Sequence, residues 1–224
     1  MLQCNCSILG DRETGEAIVV DPGDDVDEIL RFVNGAKLKV CTILSTHAHI
    51  DHVGGLARLH EATGAPILMH PEDLPLYHRM DMQADWLGVP APRVVEVDAP
   101  LNENDTIRWG GYAARVIHTP GHTPGSVSLY IPFDKITVSG APLTGALQQA
   151  PGYTGWLLAG DTLFAGSVGR TDLWGGDTQT LLRSIHEKLM ALPDSTRVYP
   201  GHGPVTSIGE ERESNPFLRK PKGK

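Results

Sequence analysis

Cysteine is scarce in this sequence, and long apolar runs are missing from it. Cys4, Cys6 and Cys41 are the three cysteines among 224 residues, an odd and low number that does not fit a disulfide-stapled fold. No run reaches the roughly 18 apolar residues that a membrane span requires. The first residues also lack the basic region and apolar core of a signal peptide. We therefore expect reduced thiols, no membrane span and a cytoplasmic location.

Positive charge is also in short supply. The chain carries 19 Lys and Arg against 27 Asp and Glu, a formal net charge of -8. Its long-range field therefore repels polyanions, and no local basic patch offsets that repulsion. We expect a small-molecule substrate and no nucleic-acid partner. With 40% hydrophobic residues, the composition is that of a globular protein and not of a disordered chain.

A chain of this length can bury one sizeable core. We expect a single domain over residues 1–224. Residues 133–155 alternate Gly, Pro, Gln and small residues without a clear period, which predicts an inserted surface loop. Residues 205–224 are predicted to form a C-terminal tail. The sequence leaves the oligomeric state open.

Two successive sets of strands and helices are predicted along the chain. A hairpin over residues 2–20 precedes a helix that Asp25 and Glu28 open as a capping box, and a buried strand follows at Lys39–Leu44. Further strands are predicted at residues 67–69, 94–97, 106–109, 112–117, 127–131, 156–159 and 197–199. Asp177 is predicted to cap a later helix. Sheets packed together with helices outside give an α/β fold, a four-layer αββα sandwich.

A dense set of metal-binding side chains follows the buried strand. The segment Thr46-His47-Ala48-His49-Ile50-Asp51-His52 places three imidazoles and a carboxylate within six positions. Imidazole and carboxylate suit Zn, Fe or Mn, and a loop can point alternate residues inward. The competing interpretation is a solvated polar loop. The density of ligand types favours a metal site.

Three later turns each carry one more such residue just beyond a predicted strand. They hold His122, Asp161 and His202 within Gly- and Pro-rich turns. Taken singly, each is equally well explained as a satisfied loop residue. Loops at strand ends converge on one edge of an α/β architecture, however, so scattered ligands can meet there. Seven ligands are too many for one tetrahedral ion and divide between two if a carboxylate is shared, which predicts two divalent metal ions, Zn or Fe, with Mn possible.

In this order the residues resemble the metallo-β-lactamase-fold hydrolases, over about residues 2–219. The resemblance implies that His47, His49 and His122 hold the first metal. It implies that Asp51, His52 and His202 hold the second and that Asp161 bridges the two. The segments at 160–164, 169–172 and 215–218 are similar to those of the glyoxalase II (hydroxyacylglutathione hydrolase) group, in a short form without its C-terminal helical domain.

This resemblance implies hydrolysis of a small acyl thioester such as S-lactoylglutathione through a metal-bridging hydroxide that Asp51 orients. A thiolate leaves without obligatory protonation, whereas an amide nitrogen needs an acid, and no dedicated acid is evident. Zinc β-lactamases of the commonest class carry Cys where this chain has Asp161, which disfavours antibiotic hydrolysis. Three alternatives stay open: a persulfide dioxygenase with one iron, an acyl-homoserine lactonase, and a metal-dependent binding protein without turnover.

The remaining candidates have both functional and structural interpretations. Arg170 offers a fork of donors that suits a substrate carboxylate, but it can equally brace its own loop through Asp172 or Asp177. His118, four residues before His122, is a candidate to orient a ligand, although a structural role is favoured for it. The other four histidines are expected to lie away from the metals: His60, His70, His78 and His186. Cys4 and Cys6 are predicted to be alternating strand residues in preference to a soft-metal site. The four tryptophans are predicted to be packing or rim residues.

Overall fold

The computed structural model describes residues 3–133 and 152–219. The strands are β1 (Ser7–Gly10), β2 (Glu16–Val20), β3 (Lys39–Leu44), β4 (Ile67–Met69), β5 (Ala99–Pro100), β6 (Thr106–Trp109), β7 (Tyr112–His118), β8 (Val127–Pro132), β9 (Gly155–Gly160), β10 (Leu163–Phe164), β11 (Ser167–Val168), β12 (Thr196–Pro200) and β13 (Thr206–Ser207). The helices are α1 (Val26–Gly35), α2 (Ile50–Val53), α3 (Leu56–Thr63), α4 (Leu74–Tyr77), α5 (Met80–Leu87), α6 (Thr178–Ser184) and α7 (Ile208–Ser214). None of the described helices is long and apolar enough to cross a membrane.

Two mixed sheets form the centre of the fold. The first has the order β1-β2-β3-β4-β5, with β1 antiparallel to β2 and the other neighbours parallel. The second has the order β13-β12-β9-β8-β7-β6, in which only the β12–β9 pair is parallel. A separate two-stranded ladder joins β10 to β11. The loops that follow β3, β9 and β12 begin at the carboxyl ends of these strands, at one edge of the sandwich.

Alternation along the strands separates three apolar clusters. In β2, Ile18 and Val20 face the second sheet, whereas Val19 faces the helices α1 and α3. In β9, Leu158 faces the first sheet and Leu157 faces α6. Side chains of a strand alternate between the two faces of its sheet, so each sheet is buried on both sides. Three clusters between four layers confirm the predicted αββα sandwich.

Several local predictions are confirmed by the same elements. The β1–β2 hairpin is antiparallel, and the Asp25 carboxylate accepts a hydrogen bond from the Glu28 amide at the start of α1. Asp177 caps α6 in the same way through Thr180. Local capping signals are reliable here because the acceptor and its donor are three residues apart.

Other local predictions are wrong. The first strand begins at Ser7 and not at residue 2, so Cys4 and Cys6 lie before it. Residues 94–97 form no strand. Val94, Val95 and Val97 pack against the cluster beneath α1 and α3, and the Val95 amide donates to the Tyr77 hydroxyl. These valines are apolar because they cover that cluster, and not because they form a strand.

Two further predictions concern the loop at 133–155 and the tail at 205–224. The inserted loop at 133–155 falls mostly outside the described residues. The predicted tail at 205–224 contains β13 and α7 within its described part. Ile208 of α7 belongs to the same cluster as Leu157.

Gly121 provides a test of the packing between the second sheet and α6. Its φ of 132° favours glycine, and a Cβ there would overlap the backbone of Leu181. We expect Gly121→Ala to lower the free energy of unfolding by about 3 kcal/mol, from backbone strain and overpacking together. Gly64→Ala is the control: φ is 68° but the space is open, so the loss should be about 1 kcal/mol. Urea denaturation measures both, and equal losses would contradict the packing argument.

Candidate metal centre

Loops from both sheets bring the seven predicted ligands together at one edge. The loop after β3 carries two histidines into α2, whose first turn carries two more ligands. The turns after β7, β9 and β12 contribute one ligand each. In chain order the seven are His47, His49, Asp51, His52, His122, Asp161 and His202.

His47, His49 and His122 form one group. Their ring centroids lie 4.6 to 4.9 Å apart in edge-to-face arrangements. The Nε2 atoms of all three are buried and make no hydrogen bond among the described residues. Burying an imidazole nitrogen without a partner is costly. Three such nitrogens around one point indicate a cation site.

Asp51, His52 and His202 form a second group beside the first. His202 Nε2 lies 3.1 Å from Asp51 Oδ2 and 3.2 Å from His52 Nε2. The three ligand atoms lie within 4.8 Å of one another. Two imidazole nitrogens and a carboxylate oxygen at this spacing suit one divalent ion.

Asp161 lies between the two groups. Its Oδ2 is 3.6 Å from His122 Nε2 in the first group and 3.7 Å from His202 Nε2 in the second. Its Oδ1 is 3.4 Å from His52 Nε2. Gly201 is required beside it, because a Cβ there would overlap Asp161 Oδ1. A carboxylate within reach of both groups is the arrangement that a bridging ligand needs.

Hydrogen bonds at Nδ1 set which nitrogen faces the centre. His122 Nδ1 donates to the Arg170 carbonyl, 2.7 Å away. The Thr46 hydroxyl donates to Asp21 and therefore accepts from His47 Nδ1 at 3.1 Å. With the proton at Nδ1, the Nε2 lone pair of His47 and of His122 points inward, as a metal ligand requires.

The pKa values describe a crowded, poorly solvated site. Burial, with the neighbouring imidazoles, lowers the pKa of His49 to about 3 and that of His47 well below its ordinary value. Burial alone would raise the pKa of Asp51, but its hydrogen bond with His202 and the nearby imidazoles lower it to about 2. His47 and His49 are therefore neutral beside an ionised Asp51, as metal binding requires. In the second group, Asp21 raises the pKa of His52 against the effect of burial, and the hydrogen bond with Asp51 raises the pKa of His202.

The residues present therefore fit divalent metals. The orphaned Nε2 atoms and the buried Oδ1 of Asp161, which also lacks a hydrogen bond in the described part of the chain, are all ligand types of borderline metals. Cys4, Asp21 and His52 form a further cluster of ligand types beside the second group. Cys4 touches His52 Nδ1 at 3.3 Å, but burial raises the pKa of its thiol to about 11.

Asp21 and Asp73 support the site and were not found from the sequence. Asp21 accepts hydrogen bonds from the Thr46 amide at 2.7 Å and the Thr46 hydroxyl at 2.6 Å, and its Oδ2 lies 3.0 Å from His52 Nδ1. Asp73 accepts from the amides of Ala48 and Gly125 at 2.8 and 2.6 Å. The one feature of the sequence that could have identified Asp21 is its position directly after a predicted strand.

Gln83 and the pair Glu211–Asn215 also brace the site. Gln83 accepts from the Ile50 amide and donates to the Ala48 carbonyl, both at 3.0 Å. Glu211 is buried and accepts from the Gly166 amide, while Asn215 donates to the Ser167 carbonyl. The C-terminal helix α7 thereby holds the β10–β11 ladder against the site.

The five remaining histidines are not ligands of either group. His118 donates through Nε2 to the Pro124 carbonyl in the turn that carries His122, and its ring stacks on His70 at 4.0 Å. It therefore supports that turn and does not contact a ligand, which agrees with the structural role favoured for it. His60, His70, His78 and His186 lie outside both groups, as expected.

A pocket of about 360 Å³ opens onto the two groups. Its polar lining comes from the predicted ligands, Gln83, Ser167 and Arg170. Arg170 makes a bidentate contact with Asp172, at 2.7 and 2.8 Å. Arg170 lines the pocket, as a substrate contact would, and its guanidinium also braces its own loop through Asp172. Neither of its two predicted roles is therefore excluded.

The fold and the ligand set agree with a known family. The family model of the metallo-beta-lactamase superfamily matches residues 1–140 and 142–202. The chain belongs to the metallo-beta-lactamase superfamily. Proteins of this fold bind divalent metals, which agrees with the chemistry of the two groups.

Two relatives illustrate the similarity in sequence. The probable metallo-hydrolase YqgX of Bacillus subtilis is 34% identical over 91% of this chain and 87% of its own length. The hydroxyacylglutathione hydrolase GloC of Haemophilus influenzae is 33% identical over 96% of this chain and 93% of its own length. Membership of the metallo-hydrolases is therefore shown.

Three solved structures are similar throughout. BLEG-1 B3 metallo-beta-lactamase has a TM-score of 0.82 at 34% identity, covering 98% of this chain and 96% of that one. A di-iron-bound form of TTHA1623 has a TM-score of 0.78 at 39% identity, covering 97% and 96%. ETHE1 from Myxococcus xanthus has a TM-score of 0.72 at 27% identity, covering 96% and 79%. All three support the same fold.

Substitution of Asp161 tests the two-group arrangement. If Asp161 serves both groups, Asp161→Ala should lower bound metal by about two ions per chain, whereas His122→Ala should lower it by about one. Elemental analysis of protein purified without added metal gives the counts. His186→Ala, at an exposed position outside the site, should keep the full content. An Asp161→Ala protein with unchanged metal would rule out the bridging role.

Proposed function

We propose that the protein is a hydrolase of small acyl thioesters that uses two divalent ions, Zn or Fe. The proposed ligands are His47, His49 and His122 for one ion and Asp51, His52 and His202 for the other, with Asp161 shared. When bound, such ions polarise a carbonyl and acidify water towards neutrality. The similarity to GloC supports a thioester substrate. The three cysteines are free, which fits the proposed cytoplasmic location.

The single observation that carries this proposal is the absence of a proton donor from the pocket wall. Apart from the proposed ligands, Arg170 is the one titratable side chain that lines the pocket within the described residues. A guanidinium stays protonated at neutral pH and is a poor general acid. An amine leaving group requires protonation, whereas a thiolate does not. The wall therefore favours thioesters, and also lactones, over amides.

The chain's own groups have distinct roles in this reaction. The new C–O bond forms from water as the C–S bond breaks, and the thiolate leaves with the electron pair to give a carboxylate and a thiol. Asp51 Oδ2, which faces the pocket beside His202, is placed to orient the attacking water and hold one of its protons. Asp21 and Asp73 keep the ligand loops in position.

Two alternative activities share the site. Similarity to ETHE1 supports a persulfide dioxygenase, which would use one iron. The adjoining second group of ligands favours hydrolysis instead. An acyl-homoserine lactonase would use the same residues with a different substrate. Similarity to the B3 β-lactamase BLEG-1 also requires a β-lactam in the substrate panel, although the missing acid disfavours it.

A substrate panel tests the reaction class. We expect kcat/KM for S-lactoylglutathione to exceed that for the corresponding amide by about 100-fold or more, because the amide lacks the general acid that it needs. Thiol release measures thioester cleavage, and Asp161→Ala gives the background rate. Comparable amide and thioester rates would contradict the proposal. Faster lactone cleavage would favour the lactonase, faster β-lactam cleavage would favour a β-lactamase, and oxygen uptake with a persulfide on a single iron would favour the dioxygenase.

Arg170 requires a separate test, because it lines the pocket while paired with Asp172. As the proposed contact for a substrate carboxylate, its loss in Arg170→Ala should lower kcat/KM about tenfold for a glutathione thioester and leave a neutral thioester unaffected. Asp172→Asn frees the guanidinium and should lower KM for the glutathione thioester. Equal losses for both substrates in Arg170→Ala, with a lower Tm, would identify Arg170 as a loop brace.

A further inference from the structure

An exposed indole stands at the mouth of the pocket. Trp86 on α5 is 58% exposed, although other residues of the same helix, Met80, Gln83 and Ala84, are buried. Its ring lies edge-to-face with that of Trp174, with centroids 5.8 Å apart. Isolated exposed apolar residues are common on protein surfaces, but this one continues directly into a pocket.

The indole pair leads from solvent to the proposed ligands. The Trp174 ring lies 6.3 Å from that of His49, in the first ligand group. Leu87 and Leu173 line the pocket beside the two indoles. Phe164 lines the pocket too, with its ring 6.4 Å from that of His202 in the second group. A group attached directly to the reacting carbonyl would therefore meet apolar walls.

Charge on the pocket wall is limited. Outside the proposed ligands, the one charged residue among those described is Arg170, and Asp172 already pairs with its guanidinium. At about 360 Å³, the pocket lies near the lower end of the roughly 300–1,000 Å³ usual for small-molecule sites.

We propose that the Trp86–Trp174 pair binds an apolar alkyl or aryl acyl group, so that the preferred substrates are thioesters of medium-chain or aromatic acids and not of short hydroxy acids. This inference rests on the proposed thioester hydrolysis and narrows its substrate class. Rigid aromatic side chains lose little conformational entropy when a ligand covers them, and Trp86 has most of its surface available. Leu87, Phe164 and Leu173, which line the pocket with the two indoles, offer no hydrogen-bond partner to a lactoyl hydroxyl.

An acyl series with one leaving thiol isolates the effect. The substrates are S-acetyl-, S-butanoyl-, S-hexanoyl-, S-phenylacetyl- and S-lactoylglutathione, which share charge and leaving group. Each buried methylene should raise kcat/KM by up to about fourfold, so that hexanoyl and phenylacetyl exceed lactoyl. Trp86→Ala and Trp174→Ala should each reduce the hexanoyl-to-acetyl ratio about tenfold, while Trp86→Phe should keep most of it. Phe217→Ala removes a comparably exposed aromatic, 54% exposed, outside the pocket and should keep the wild-type ratio.

Binding without turnover separates this inference from the proposed function. S-hexylglutathione, a thioether that cannot be hydrolysed, should bind at least about tenfold more tightly than S-methylglutathione by calorimetry, and Trp86→Ala should remove that difference. If no thioester is cleaved but this difference appears, the thioesterase proposal fails and the apolar subsite stands. Equal affinities with a flat acyl series would overturn the subsite. Acetyl thioesters of thiols with increasing alkyl length test the opposite placement of the apolar group. If kcat/KM rises in that series and not in the acyl series, the acyl assignment is overturned.

Discussion

The convergence of ligands from two different sheets depends on buried carboxylates that accept backbone hydrogen bonds. Asp73 is fully buried and joins the loop after β3, through Ala48, to the turn after β7, through Thr123 and Gly125. Burial raises the pKa of Asp73, and the three hydrogen bonds oppose that effect. Removing such a carboxylate would orphan several donors at once, at roughly 1–3 kcal/mol each. The spacing of the imidazoles thus follows from contacts that are not themselves ligands.

Without a bound cation, such a site lowers the stability of the fold, because its buried ligand atoms lack partners. The first group holds three imidazole nitrogens that make no hydrogen bond in the part of the chain that the structure describes, and Asp161 adds a buried carboxylate oxygen in the same state. The surrounding sandwich, with an apolar cluster on each face of each sheet, fixes the loops firmly enough to keep these groups together. Native proteins concentrate unsatisfied and strained groups at functional sites, where the rest of the fold sustains them.

The meeting of the candidate ligands at one edge was predictable from the sequence, whereas most of the residues that hold them in position were not. His47 to His52 form a local pattern, and the later ligands each follow a recognisable strand. Asp73 and Gln83 lie in a Pro-rich stretch without clear periodicity, and their partners are 25 to 52 residues away, so no local pattern reveals them. Val94, Val95 and Val97 show the opposite failure, because β-branched residues that cover a core resemble a strand until their hydrogen-bond partners are known.

The apolar wall and the polar centre depend on each other. Asp51 and Asp161 expose only 11% and 12% of their side chains, in a pocket that Trp174, Leu173 and Phe164 also line. Water therefore screens their charges less than it would in open solvent, and electrostatic interactions within the pocket are stronger. Trp86 itself is mostly exposed, so in the free protein it does little to keep water from the site. Because Trp86 extends the apolar surface beyond the ligands, a substrate that covers it both gains binding free energy and completes the exclusion of water from the reacting carbonyl. Substrate selection and catalytic environment therefore follow from the same few aromatic side chains.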